Sequence, residues 1–251
     1  MPIDFTSIPS GVSVTDERIN QLNARATETN AAFTRRIENL TQAYADAQAR
    51  FTADADAFVG ATSGADRNVA KQLAKKRLAQ QVLDMRRKLI ESSATDRAAM
   101  LAQLKSFADE AGAISAVCES ATMMLGRVAL GDPRKGQLIE QLTGAGQFEV
   151  ETAARLAVMQ GDIVLAAAVL VVVDRKSRDR RPFAIADLAE RVMGPQFKDA
   201  DRKLKAVQLA YRDAVAADLE FNRGGPNPTA RISSFLAHRA LTEPETTSLT
   251  D

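Results

Sequence analysis

Across residues 12–59 the chain carries neither glycine nor proline, and its apolar side chains recur at helical spacing. Ile19, Leu22, Ala26, Thr29, Phe33, Ile37, Leu40, Tyr44, Ala47, Phe51 and Phe58 follow one another in one seam. The steps are three or four residues, with Asp54 or Ala55 filling the last gap. That repeat predicts a coiled-coil helix. Between Phe33 and Ile37 the step is four where three is due, and such a shift relaxes a left-handed supercoil locally. At 1.5 Å per residue the helix would be roughly 65 Å long. Thr15 is placed to cap its start, with Asp16 and Glu17 in the first turn, where the helix dipole favours acids. Gly60-Ala61-Thr62-Ser63-Gly64 then predicts the turn of an antiparallel helical hairpin.

The pattern continues at helical period. Val69, Leu73, Leu78, Val82, Met85 and Leu89 give a second helix over 65–91 an apolar side, with a slip near Lys75-Lys76-Arg77. Ser93 and Asp96 resemble a capping box, so a break is expected there. A third helix follows over 96–130 on Leu101, Leu104, Ala108, Ala111, Ile114, Cys118, Ala121, Leu125 and Val128. After Gly131-Asp132-Pro133-Arg134-Lys135-Gly136 glycine and proline recur, and shorter helices are expected over 137–143, 149–160, 162–176, 184–193 and 198–222. Residues 163–173 are apolar all round. Their valines suit a buried strand, but Asp162 as a cap and the three alanines 166–168 favour a central helix.

The fold class is therefore all-α: a long antiparallel coiled-coil helical hairpin or three-helix bundle, followed by a smaller compact helical domain. The expected segments are an arm at 1–14, a long-helix domain at 15–130, a linker at 131–136, a compact domain at 137–222 and a tail at 223–251. Within that tail Ile232, Phe235, Leu236 and Leu241 make one short amphipathic turn.

Charge adds an asymmetry. The whole chain is near neutral at +1, which gives no global electrostatic case for nucleic acid or an anionic membrane. Residues 15–59 hold five bases and seven acids, whereas 66–91 hold eight bases and three acids. Opposite-sign flanks favour pairing of the first two helices. The second, taken as roughly 40 Å long, would leave part of the first uncovered.

Candidate chemistry is sparse. One cysteine, Cys118, and one histidine, His238, make neither a disulfide nor a zinc site. Without a base beside a serine or cysteine, no activated nucleophile is expected. Gly60 to Gly64 and Gly144-Ala145-Gly146 lack the lysine of a phosphate loop and follow helices. No catalytic residue, cofactor or metal ligand is assigned, and no enzyme activity is expected. The longest apolar run, residues 163–173, is too short to span a bilayer, so no membrane is expected.

Two functional readings remain. The first is a non-enzymatic structural or interaction protein: a homo-oligomer or a component of a larger assembly, a phage particle being one such assembly. Ile19, Leu22, Phe33, Ile37, Leu40, Tyr44, Phe51 and Phe58 would form its partner-helix seam. The second is nucleic-acid binding through bases that contact phosphates: Lys71, Lys75, Lys76, Arg77, Arg86 and Arg87, with Lys88 beside them, or Arg175, Arg178, Arg180 and Arg181, with Lys176 among them. Residues 187–194 resemble the first helix and turn of a helix-turn-helix, with the glycine one residue late. The start of the chain lacks a signal-peptide pattern, so a cytoplasmic or virion setting is expected.

Overall fold

The computed structural model describes residues 15–226 and 228–242. The fold is all-α, and the described residues contain no strand. The helices are α1 (Asp16–Gly60), α2 (Arg67–Val117), α3 (Ala121–Arg127), α4 (Pro133–Thr143), α5 (Gln147–Gln160), α6 (Ile163–Asp174), α7 (Ile185–Arg223) and α8 (Pro228–Thr242). None is long and apolar enough to cross a membrane. The expected arm at 1–14 and the end of the tail beyond 242 lie outside the described residues.

The chain forms two compact units. One comprises 15–21 with 109–205, the other 22–108 with 206–226 and 228–242. In the second unit α1 and α2 pack against each other and against the later part of α7. Phe33, Leu104 and Ala214, one from each helix, are buried together, with Ile37, Leu101 and Tyr211 packed around them. Fully burying a side chain such as Phe33 contributes about 2–3 kcal/mol. The same core holds polar groups. Arg97 and Ser93 are buried. The Arg97 guanidinium pairs with Asp218, donates to Ser93 Oγ at 3.0 Å and to the Ile90 carbonyl at 3.2 Å, and lies 5.0 Å over the Phe221 ring. A buried charge needs such partners, so this set fixes how α2 and α7 meet.

The first unit is organised around α6. Leu165, Ala166, Ala167, Val169, Leu170 and Val173 are buried there against Leu125, Val150, Ala154, Leu188 and Met193. Asp162 caps the helix, accepting from the Leu165 amide at 3.0 Å, and pairs with Arg134. The Leu165 amide and the Arg134 guanidinium hold the Asp162 carboxyl below its ordinary value, against the opposing effect of burial. Lys135 is buried and donates to the carbonyls of Gly126 and Val128 at 3.0 and 2.6 Å. It thereby satisfies carbonyls that the end of α3 leaves open, and burial pushes its pKa down.

Several expected breaks are not there, and one unexpected break is. α2 runs unbroken through residues 92–96. Ser93 caps nothing; its hydroxyl donates to the Leu89 carbonyl at 2.7 Å, inside the helix. α2 is consequently the longer helix of the hairpin, 51 residues against 45, so α1 has no excess length over it. α7 runs through Gly194 and Pro195, which removes the turn a helix-turn-helix needs. Proline forfeits one backbone bond, but buried Met193, Ala200 and Leu204 hold the helix in place on both sides. The third predicted helix instead ends at Cys118-Glu119, and Ser120 caps α3 by accepting from the Met123 amide at 3.2 Å. The apolar segment 163–173 is helix.

Candidate interaction surfaces

The α1 seam is turned inward. Ile19, Leu22, Phe33 and Leu40 are buried, and Ile37, Tyr44 and Phe51 half-buried. Phe58 is the exception at 39 % exposed; the seam closes instead through Ala55 and Val59. The Arg77 guanidinium lies 5.7 Å from the Phe58 ring centroid, a cation–π contact that partly covers it. From Leu22 to Leu40, then, this face is core of the second unit.

On α2 the buried face differs from the expected one. Ala70 and Ala74 are buried, whereas Val69 is 67 % and Leu73 42 % exposed. Alanines let two helices approach closely, so they take the side facing α1. The larger residues are left outside, and Leu83, at 60 % exposed, joins them.

Among the described residues the bases over 66–91 form no ion pair with α1 of the kind the charge asymmetry suggested. Arg18 pairs with Glu110 at 2.6 Å and Arg36 with Asp96 at 3.1 Å, both with the base on α1 and the acid on α2. Among the described residues Lys71, Lys75, Lys76, Arg87 and Lys88 enter no ion pair. Arg86 is engaged otherwise, donating to the carbonyls of Phe221 and Asn222 at 3.2 and 3.1 Å. It caps the end of α7, where the chain turns at Gly224 with φ +79. These groups line one end of a cavity of about 390 Å³ with Ile37, Tyr44 and Arg231. Arg231 is itself paired to Glu220 at 3.1 Å.

The second basic cluster is partly structural. Arg181 donates to the Asp174 carboxylate at 2.9 Å and to the carbonyls of Asp174 and Lys176 at 3.1 and 3.2 Å. It clamps the loop after α6, while Arg175, Arg178 and Arg180 are exposed.

α8 folds back along α7 through polar contacts. Arg231 meets Glu220, and both Ser234 Oγ and His238 Nε2 reach Asp213 at 2.7 Å. Serine, aspartate and histidine thus meet, but the carboxylate lies between the other two. The Asp213 carboxylate accepts from the Ser234 hydroxyl and joins the His238 imidazole, so the three together tether α8 to α7. Ile232, Phe235 and Leu236 point away, 55–65 % exposed. Cys118 is half-buried with its thiol pKa pushed up by burial, the opposite of a reactive thiolate. Among the described residues no cluster of His, Cys, Asp and Glu is placed to hold a metal ion.

No protein-family model matches the chain, and neither a curated protein nor a solved structure does.

Proposed function

We propose that the chain is a non-enzymatic structural or interaction protein. It works by helix packing against other proteins in a larger assembly, of which a phage particle is one kind. The observation that supports this is the outer face of α2. Val69, Leu73 and Leu83 are exposed there, at positions spaced like a helix-packing stripe, while the seam of α1 is used within the chain. Exposed apolar residues grouped on one face mark interaction sites. The tested outcome is site-specific. A photo-crosslinking side chain at Leu73 or Leu83, introduced in cells that make the chain, should yield protein adducts. A chain that crosslinks to no protein from either position contradicts the reading.

The unpaired bases of α2 favour a second reading, contact with nucleic acid through phosphates. Nuclease-sensitive adducts from the same positions, and DNA binding that falls steeply with salt, would select it.

A further inference from the structure

We infer that α5 pairs with α5 of a second copy, antiparallel across a two-fold axis, with Phe148 of each chain seated against Met159 of the other. This surface is separate from the outer face of α2 and goes beyond the reading proposed above.

α5 has two sides. Val150, Ala154 and Ala157 are buried in the core of the first unit. The opposite side carries Phe148, Thr152, Arg155 and Met159, at steps of four, three and four, and all of these are exposed. Phe148 is 79 % and Met159 84 % exposed, with Leu156 beside them at 43 %. That alternation is the spacing by which one helix packs along another, and large apolar residues grouped on an exposed face mark a contact surface.

The stripe reads the same in both directions. A large apolar residue stands at each end and a polar one at each inner position. Laid antiparallel on itself, it sets Phe148 of one copy on Met159 of the other, and Thr152 on Arg155. Each contact then occurs twice, since in an isologous interface residue i meets j and j meets i. Both contacts lie on one face of one helix, so a single axis between Thr152 and Arg155 makes them together. Parallel pairing would instead set the two copies of Arg155 against each other.

Charge and shape favour the same register. Among the described residues Arg155 enters no ion pair. Glu151, next to Thr152, accepts from the Gln147 amide at 3.2 Å and from no base. In the antiparallel pair each Arg155 comes beside Glu151 of the other copy. Met159 borders a cleft of about 430 Å³ with Val158, Pro182, Phe183 and Leu188, and the register brings Phe148 of the other copy to its mouth. The helices touch over about 12 residues, or about 18 Å. Such a contact is smaller than a standard interface of roughly 1,600 Å², so the dimer is one that dissociates on dilution.

The test is a charge swap read by analytical ultracentrifugation over a range of concentrations. One chain carries Phe148→Lys and the other Met159→Glu. Both positions are exposed, so helicity by circular dichroism should match wild type. Wild type should form dimers, and each variant alone should associate about tenfold more weakly or worse. An equimolar mixture should restore a dimer with one of each, because one end keeps Phe148 on Met159 and the other pairs the new lysine with the new glutamate. Wild type that stays monomeric at every concentration overturns the pairing, as do variants that associate like wild type. A mixture that associates no better than its components overturns the register. A photo-crosslinking side chain at Phe148 should join two copies of the chain; adducts only to a different protein overturn the pairing in favour of that partner.

Discussion

Replacing Asp218 with alanine removes the one carboxylate that pairs with Arg97. The arginine side chain is 5 % exposed and Asp218 17 %, so water cannot readily take the place of the lost partner. Breaking a buried pair from one side costs about 3–5 kcal/mol. Arg97 keeps its bonds to Ser93 Oγ and the Ile90 carbonyl and its position over Phe221, which puts the expected loss near the lower end, about 3 kcal/mol. Replacing both partners, as Arg97→Met with Asp218→Leu, should cost much less, because an apolar pair of similar volume carries no desolvated charge. The assay is urea unfolding followed by far-UV circular dichroism, with the denaturant slope checked for constancy. The cycle should show a coupling of about 2–3 kcal/mol. A loss below about 1 kcal/mol for Asp218→Ala, or single changes that sum to the double within about 0.5 kcal/mol, would refute the reasoning.

Other changes should report on separate parts of the fold. Phe33→Ala should cost about 3–5 kcal/mol by urea unfolding, because Phe33 is fully buried against Leu104 and Ala214. Gly224→Ala should cost about 2 kcal/mol: φ is +79, and a Cβ would lie 1.6 Å from an Arg86 guanidinium nitrogen. Most of that should persist in an Arg86→Ala background, because the φ of +79 strains an L side chain whatever the space around it, and a cost that vanishes there would contradict the backbone origin. Asp162→Ala should cost about 1–2 kcal/mol at neutral pH through the lost cap of α6. Because the folded pKa of Asp162 is lowered, its stabilisation is present above the usual carboxylate range and lost as pH falls through the folded value. The gap between wild type and variant should therefore narrow below about pH 4, and a gap constant down to pH 3 would contradict the charge-assisted cap.

The all-α fold was legible because period-3.6 patterning runs through most of the chain. Caps at Thr15 and Asp162 were legible from residue type alone, and both side chains accept amides at helix starts. Local signals failed where tertiary packing overrode them. Ser93 and Asp96 have the sequence of a cap, but Ser93 is buried and supports Arg97 in mid-helix. Gly194 and Pro195 read as a stop, but the core residues on either side carry α7 past them. Ser120 carried a cap signal that the unbroken apolar pattern from Ile114 to Leu125 concealed. On α2, a reading by hydrophobicity selected Val69 and Leu73 for the inside. Close helix approach favours alanine there, and size is invisible to a scale that counts only apolar character. The Arg97–Asp218 pair joins residues 121 apart in sequence, and no local spacing announces it.

The most direct test of the outer face of the hairpin as a protein contact is crosslinking from Val69, Leu73 and Leu83, which are exposed on that face. A photo-crosslinking side chain at each, compared with one at buried Ala70 or Ala74, measures it. The account predicts protein adducts from the exposed positions and none from the buried ones. No protein adduct from any exposed position would contradict it.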